Sequence, residues 1–196
     1  KPLLELQGPR GCSYRQMLVS DIVSEKSAKL PVEKWAPTHT LQKFFPLADL
    51  IHMSIPHVWL SDFVKTRHKA LFIGSRAAPG SPLSLCSLCA NTQLTHEHLL
   101  WECPLARSVW AYAVRKSSLP TYVISSVIDV LEIGGINLRS RDSPVSTVMT
   151  VRLHMCAIHC IIKTMYARSS ARSPVTLAAG RIILRQVLDR WSFLVA

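Results

Sequence analysis

Residues 86–103 hold Cys86, Cys89, His98 and Cys103 in a C-x₂-C-x₈-H-x₄-C array, four metal-ligand side chains within eighteen residues. This spacing suits one tetrahedral Zn²⁺ held by three thiolates and one imidazole. Such a set fills the coordination sphere and leaves no position for a catalytic water, so the expected site is closed and structural. A C-x₂-C pair sits on a tight turn that aims both sulfurs inward, and His98 and Cys103, five apart, are expected at a helix start or turn. The array thus predicts a folded recognition module rather than an active centre. Thr95-His96-Glu97-His98 offers two histidines. His98 is preferred for its spacing to Cys103, which leaves His96 as a neighbour of the site or an exposed side chain. Thr95 or Glu97 is a candidate to orient the ligand.

The rest of the composition agrees with an intracellular chain in a reducing compartment. Of six cysteines, three belong to the array, and Cys12, Cys156 and Cys160 are left as an odd number. A chain of 196 residues with 48% hydrophobic content has enough core to need no disulfide framework. The opening Lys1-Pro2-Leu3-Leu4-Glu5 lacks the apolar stretch of a signal peptide. The chain does not begin with Met and reads as a fragment or a processed product. The most apolar stretch, Val151 to Tyr166, is interrupted by Arg152, His154, His159 and Lys163, so no membrane span and no membrane partner is expected.

Lys and Arg number 23 against 12 acidic residues, a net charge of +11 spread from Lys1 to Arg190. A folded chain with that balance is expected to meet a polyanion, nucleic acid first. The competing account is that the charge serves solubility. Lys65, Arg67, His68, Lys69 and Arg76 precede the array, and Arg107, Arg115 and Lys116 follow it. Positions 65, 69 and 76 are expected near one another on a helix surface, and together these side chains could line a phosphate groove. Trp101, between two ligands, is a candidate to stack on a base, whereas Trp110 is expected in the core. No small-molecule substrate is indicated.

Helical punctuation dominates elsewhere. Residues 13–23, 40–45 and 47–53 are candidate helices, with a connector over 31–38. Pro56 opens a longer helix that Gly74 is expected to end. Pro104 reads as the first residue of a helix through Trp110. A further helix is expected over 122–131, ending near Gly134-Gly135, although Tyr122 to Ile128 is rich in β-formers. Ser143-Pro144 opens a long helix to about Arg168, and Ser173-Pro174 a last one to about Phe193. The expected fold is all-α, a helical domain with an inserted CCHC zinc knuckle: 1–82 lead into the finger, 83–104 form it, and 105–196 complete what should be one compact unit. His154, Cys156, His159 and Cys160 invite a second metal site, but their apolar neighbours favour buried thiols in a core helix.

The run Cys86-Ser87-Leu88-Cys89, then Thr95-His96-Glu97-His98-Leu99-Leu100-Trp101-Glu102-Cys103-Pro104 and on through Ala106-Arg107 to Trp110, resembles the zinc-binding domain at the C-terminal end of non-LTR (LINE-type) retrotransposon reverse transcriptases. That family's pattern is C-P-x-C, a loop with E-[ST]-x-x-H-L-[LF], four residues between His and C-P, and a helix reaching a Trp. The upstream segment from Val58 through Arg67-His68 to Leu71 is similar to the family's apolar helix before the finger. Ser87 replaces the usual Pro, and Leu94 stands where an acidic residue is usual. The close match covers about residues 56–110. The resemblance implies a nucleic-acid-binding module that helps hold template RNA or target DNA during target-primed reverse transcription, beside the polymerase core of a parent polyprotein and in the nucleus. The polymerase and endonuclease centres of that family lie elsewhere. This chain shows no polymerase Asp-Asp motif, and its scattered carboxylates do not suggest two-metal chemistry, so it is expected not to be an enzyme. The alternative is a structural or protein-interaction module, including a free-standing retrotransposon derivative, in which zinc only stabilises the fold.

Overall fold

In the computed structural model, the described residues are 35, 50, 53, 55–74, 83–89, 92–136, 144–171, 185 and 189. They are mostly helical, with one isolated antiparallel bridge between Leu85 and Gln93. Four α-helices follow in order: α1 (His57–Arg67), α2 (Pro104–Lys116), α3 (Val127–Leu131) and α4 (Pro144–Ala171). A π-turn at His98–Glu102 leads directly into α2, and a 3₁₀ turn at Ile133–Gly135 follows α3. The expected helices at 13–23 and 40–45 lie outside the described residues, as do Cys12 and Arg76. Of the connector expected at 31–38 only Trp35 is described, and it is helical and buried. Of 47–53 only Leu50 and Met53 are described, and of 174–193 only Arg185 and Asp189, both helical.

The centre of the fold is α4, 28 residues long and so about 42 Å from end to end. It packs against α1, α2 and the π-turn. Between Val151 and Tyr166 most of its side chains are buried, as in a helix largely covered by its neighbours. Val151, Met155, Ala157, Ile158, Ile161, Ile162 and Met165 are buried. The stretch Val145–Ala167 is long and apolar enough to cross a membrane, but 67% of its most apolar window is buried inside the protein. Its polar side chains have local partners. His159 Nδ1 lies 2.7 Å from Asp62 Oδ2 of α1, and Arg152 Nε donates to the Met53 carbonyl at 3.0 Å. Trp59 and Phe63 from α1 and Trp110 from α2 complete a continuous core that extends through Cys86, Leu94, Leu99 and Leu100 of the ligand-bearing segment. Burial of each large side chain contributes about 1.5–3 kcal/mol. As the sequence indicated, Trp110 is a core residue; its Nε1 donates to the Leu100 carbonyl at 2.7 Å.

Two expected helix boundaries are corrected. The first helix ends at Arg67 rather than near Gly74. Lys69 adopts φ 47°, its amide donates to Thr66 O at 3.0 Å, and the Ala70 amide donates to Lys65 O at 2.7 Å. This is a Schellman close with lysine at the left-handed position that glycine normally marks. Gly74 serves another purpose. At φ +57°, a Cβ there would lie 2.1 Å from the Leu94 carbonyl oxygen, so only glycine lets this segment lie against the ligand loop. The helix expected over 122–131 begins only at Val127, where Ser126 caps it by accepting from the Asp129 amide. The β-formers Tyr122 to Ile124 are non-helical and alternate between buried and exposed. The Tyr122 ring lies where a Cβ on Gly134 would be, 2.6 Å from its Cδ2, and that contact places the turn.

Within α4, His154 is fully buried. It lies 2.9 Å from Tyr122 Oη through Nδ1 and 2.8 Å from the Val130 carbonyl through Nε2. The carbonyl can only accept, so Nε2 carries the proton and Nδ1 receives the Tyr122 hydroxyl. Burial pulls the imidazole down to about 4, against a smaller upward effect from the Val130 carbonyl. Cys156 and Cys160, one turn apart and both buried, place their sulfurs 3.9 Å from each other. Hydrogen bonding to Cys160 and burial push the Cys156 thiol up, which suits an inert core thiol. Among the described residues, these two do not join a metal cluster with His154 and His159.

Candidate metal centre

The loop from Ser84 to Leu94 closes on itself through two backbone hydrogen bonds, Cys86 N to Thr92 O at 2.9 Å and Leu94 N to Ser84 O at 3.0 Å. Inside it, Cys86 Sγ accepts from the amides of Leu88 and Cys89. The C-x₂-C turn therefore supplies N–H donors that offset thiolate charge. Ser87 Oγ donates to the Met165 carbonyl of α4 at 2.9 Å, which docks this turn on the central helix.

The second half of the array is a π-turn. Cys103 N donates to His98 O at 2.8 Å, a bond spanning five residues. In an α-helix, residues five apart point in different directions; the wider turn returns Cys103 to the side of His98. Thr95 Oγ1 accepts from the His98 amide at 3.0 Å and starts the turn. Cys103 then serves as the N-cap of α2 with Pro104 at its first position. The Leu105 and Ala106 amides of the first helical turn lie toward its sulfur and favour the thiolate. A hydrogen bond from Cys86 is the main cause that brings the Cys103 thiol down to about 5, opposed by burial and aided by those amides. As the donor to Cys103, Cys86 is pushed up.

The ligand atoms of Cys86, Cys89, His98 and Cys103 all lie within 4.8 Å of one another, close enough to hold one metal ion. Two of their separations test the fit. A tetrahedral ion with metal–sulfur bonds of about 2.3 Å has a sulfur–sulfur edge of about 3.8 Å and a sulfur–nitrogen edge of about 3.6 Å. Cys86 Sγ and Cys103 Sγ are 3.9 Å apart, and Cys89 Sγ and His98 Nε2 are 3.3 Å apart. Three of the ligand residues are buried and Cys89 is partly so, leaving little room for solvent. The donors fit a closed tetrahedral centre.

His98, not His96, joins the cluster. His96 instead meets Trp35 edge to face, with ring centroids 6.4 Å apart. Glu97 does not orient the ligand either. It pairs with Lys69 at 2.8 Å; burial pushes its carboxyl up, but the Lys69 hydrogen bond and charge, with its own backbone amide and the charge of His96, bring it below the ordinary value. The carboxylate beside the His98 ring is Glu102, with Oε2 3.9 Å from Nδ1. Sequence reasoning missed Glu102; its signal was a spacing of four residues from the ligand.

The basic candidates separate into distinct environments. Arg107, Arg115 and Lys116 are exposed on α2. Arg107 and Arg115 share one stripe of α2, two turns apart. The Arg107 guanidinium lies 5.3 Å from the centre of the half-buried Trp101 ring, and its Nε donates to the Trp101 carbonyl at 3.3 Å. Lys116 Nζ sits 5.6 Å from the Tyr112 ring. Lys65 is partly exposed, with Asp62 at 3.9 Å. His68 is partly exposed at the end of α1. Lys69 lies off the helix, held by Glu97 and 4.1 Å from the Trp35 ring, so it does not share the helix surface expected with Lys65; Arg76 lies outside the described residues. Arg67 is only 3% exposed and lies over the Phe63 ring at 5.4 Å, in the core rather than on a groove. Burial of an arginine that close to the array has no signal in its local sequence. No family model, curated protein or solved structure matches this chain.

Proposed function

We propose that this chain is a zinc-stabilised nucleic-acid-binding module of the kind carried at the C-terminal end of LINE-type reverse transcriptases, where it holds template RNA or target DNA during target-primed reverse transcription. Three thiolates and an imidazole at tetrahedral spacing favour Zn²⁺ over harder ions, and a full protein ligand set favours a structural role. The zinc knuckle so formed is inserted between α1 and α2. The observation that carries the nucleic-acid reading is Arg107 stacked on Trp101. Trp101 lies between the ligands His98 and Cys103, so the metal would hold a cation and an aromatic ring together at the surface. That pairing suits phosphate and base. Arg115 extends the same stripe, and the net charge of +11 agrees. The module is non-enzymatic in this reading, works beside a polymerase core, and resides in a reducing interior such as the nucleus.

The test is metal analysis of the purified chain with binding to RNA, single-stranded DNA and duplex DNA across a salt series. About one zinc per chain and an affinity that falls steeply with salt are expected. Cys86→Ser or Cys103→Ser should remove both properties. Retention of zinc content and nucleic-acid binding in these variants would sink the proposal.

A second reading has its own support. Ser87 bonds α4, Gly74 lies against Leu94, Lys69 is neutralised by Glu97, and Arg67 is buried. These contacts favour a structural or protein-interaction module, free-standing derivatives included, in which zinc only stabilises the fold. Zinc binding without measurable nucleic-acid binding at low salt would select it.

A further inference from the structure

We infer that Glu102 is a positioning residue for the metal centre, the carboxylate that fixes the tautomer and orientation of His98. The inference rests on the metal-binding part of the proposed function and goes beyond it, because Glu102 is not one of the four ligands.

The two nitrogens of His98 face different groups. Nε2 is 3.3 Å from Cys89 Sγ and therefore points into the cluster. Nδ1 faces outward, 3.9 Å from Glu102 Oε2. A histidine that ligates through one nitrogen carries its proton on the other, and that N–H needs an acceptor. His98 is buried, with only 5% of its side chain exposed, so bulk water is a poor candidate for that acceptor. Glu102 is 58% exposed at its side chain, so its carboxylate lies at the protein surface. A separation of 3.9 Å is beyond a hydrogen bond, and rotation of the carboxylate or one bridging water closes it. Among the described residues Glu102 makes no other ion pair.

The π-turn is what makes this arrangement possible. It spans His98–Glu102, so its last residue returns beside its first, and the next residue is the ligand Cys103. One turn thus presents a nitrogen ligand, its outer acceptor and a sulfur ligand in sequence. The net charge of the centre supplies a further constraint. Three thiolates already exceed the charge of a divalent ion by one, so a nearby carboxylate is tolerated only when an N–H lies between it and the metal. The His98 Nδ1–H provides that N–H.

The experiment measures Zn²⁺ affinity by competition with a chromophoric chelator, and Co²⁺ absorption at saturation, for the full chain and for Glu102→Ala, Glu102→Gln and Cys86→Ser. Loss of an outer-sphere partner typically weakens metal affinity about 10- to 100-fold. Glu102→Ala should bind about ten-fold more weakly, while its thiolate-to-cobalt band at saturation and its chelated melting temperature match the original chain. Glu102→Gln keeps an acceptor oxygen without the charge and should recover most of the affinity. Glu102→Ala binding within two-fold of the original, with Cys86→Ser unable to bind, overturns the role of Glu102 alone. Equal losses in the Ala and Gln variants overturn it too, because the effect is then long-range charge. If Cys86→Ser binds metal like the original chain, the ligand assignment fails and this inference falls with it.

Discussion

The main-chain amide of Cys103 donates to the carbonyl of His98 at 2.8 Å, five residues back along the chain. That single bond defines a π-turn, and it makes an x₄ spacing usable as a ligand pair. Four of the five residues from His98 to Glu102 also have work inside the fold: Leu99 and Leu100 enter the core, Trp101 takes the Arg107 guanidinium on its ring, and Glu102 lies beside the imidazole. The candidate metal centre and the hydrophobic core therefore share one turn.

Among the described glycines, Gly74 has the tightest backbone approach. Alanine there meets both a left-handed φ and an oxygen at 2.1 Å. Gly74→Ala should destabilise the chain by about 3 kcal/mol and weaken metal affinity, because Leu94 must shift and with it the loop that carries Cys86 and Cys89. Denaturant unfolding and metal competition on the same samples check this. An unchanged metal affinity would mean that the loop holds its shape independently of residue 74.

Lys69 combines a backbone cost with two side-chain gains. Its left-handed conformation costs about 1–2 kcal/mol. The Glu97 ion pair and the Trp35 ring together return a comparable amount. Lys69→Gly relieves the cost and loses the gains, so its stability should stay within about 0.5 kcal/mol of the original. Lys69→Ala loses the gains with no relief and should fall by about 1 kcal/mol. Urea midpoints at fixed metal concentration would show whether Gly and Ala separate in that order.

His154 is held neutral, its value lowered to about 4 from an ordinary value of 6.5. For a base whose value drops on folding, the unfolded chain binds the proton first. The neutral site therefore contributes its full stability above pH 6.5, and that contribution is lost as pH falls toward 4. The loss amounts to about 3 kcal/mol at most. Stability measured with the metal chelated, from pH 7 to pH 4, should show this slope. His154→Gln should be less stable at pH 7 yet lack that component of the slope. An identical pH profile in the variant would assign the acid sensitivity to other groups.

Arg67 and Arg107 should respond oppositely to truncation. Arg67→Ala removes a buried side chain packed on Phe63 and should cost about 2–4 kcal/mol of stability. Arg107→Ala leaves stability within about 0.5 kcal/mol. Under the proposed function it weakens nucleic-acid binding and lowers the salt slope by about 1. Thermal melts with salt-dependent binding curves for both variants distinguish them.

Much of the site was legible along the chain because local spacing carries it. Cys86 and Cys89 on one turn, and Pro104 at the start of α2, need only short-range geometry. His98 was separated from His96 by its distance to Cys103, and the long helix from Pro144 was visible in its Ser-Pro start and unbroken apolar content. The misjudged features all depend on distant partners. A lysine can close α1 because Glu97 and Trp35 hold it there, so glycine was a misleading marker of the helix end. Tyr122 to Ile124 leave the helix because Tyr122 packs over Gly134 and bonds His154, more than thirty residues away. Arg67 looks like its basic neighbours in sequence, and only the packing of α1 against the core buries it.

By itself, the sequence determined the helical character and the set and order of candidate ligands, since side-chain chemistry and short-range periodicity decide those. Only the tertiary structure decided how the Cys/His cluster is docked on the helices and which basic residues remain at the surface. Ser87 on Met165, Leu94 against Gly74 and Glu102 beside His98 arise from packing, which settles the position of every group in three dimensions through contacts the linear chain does not display.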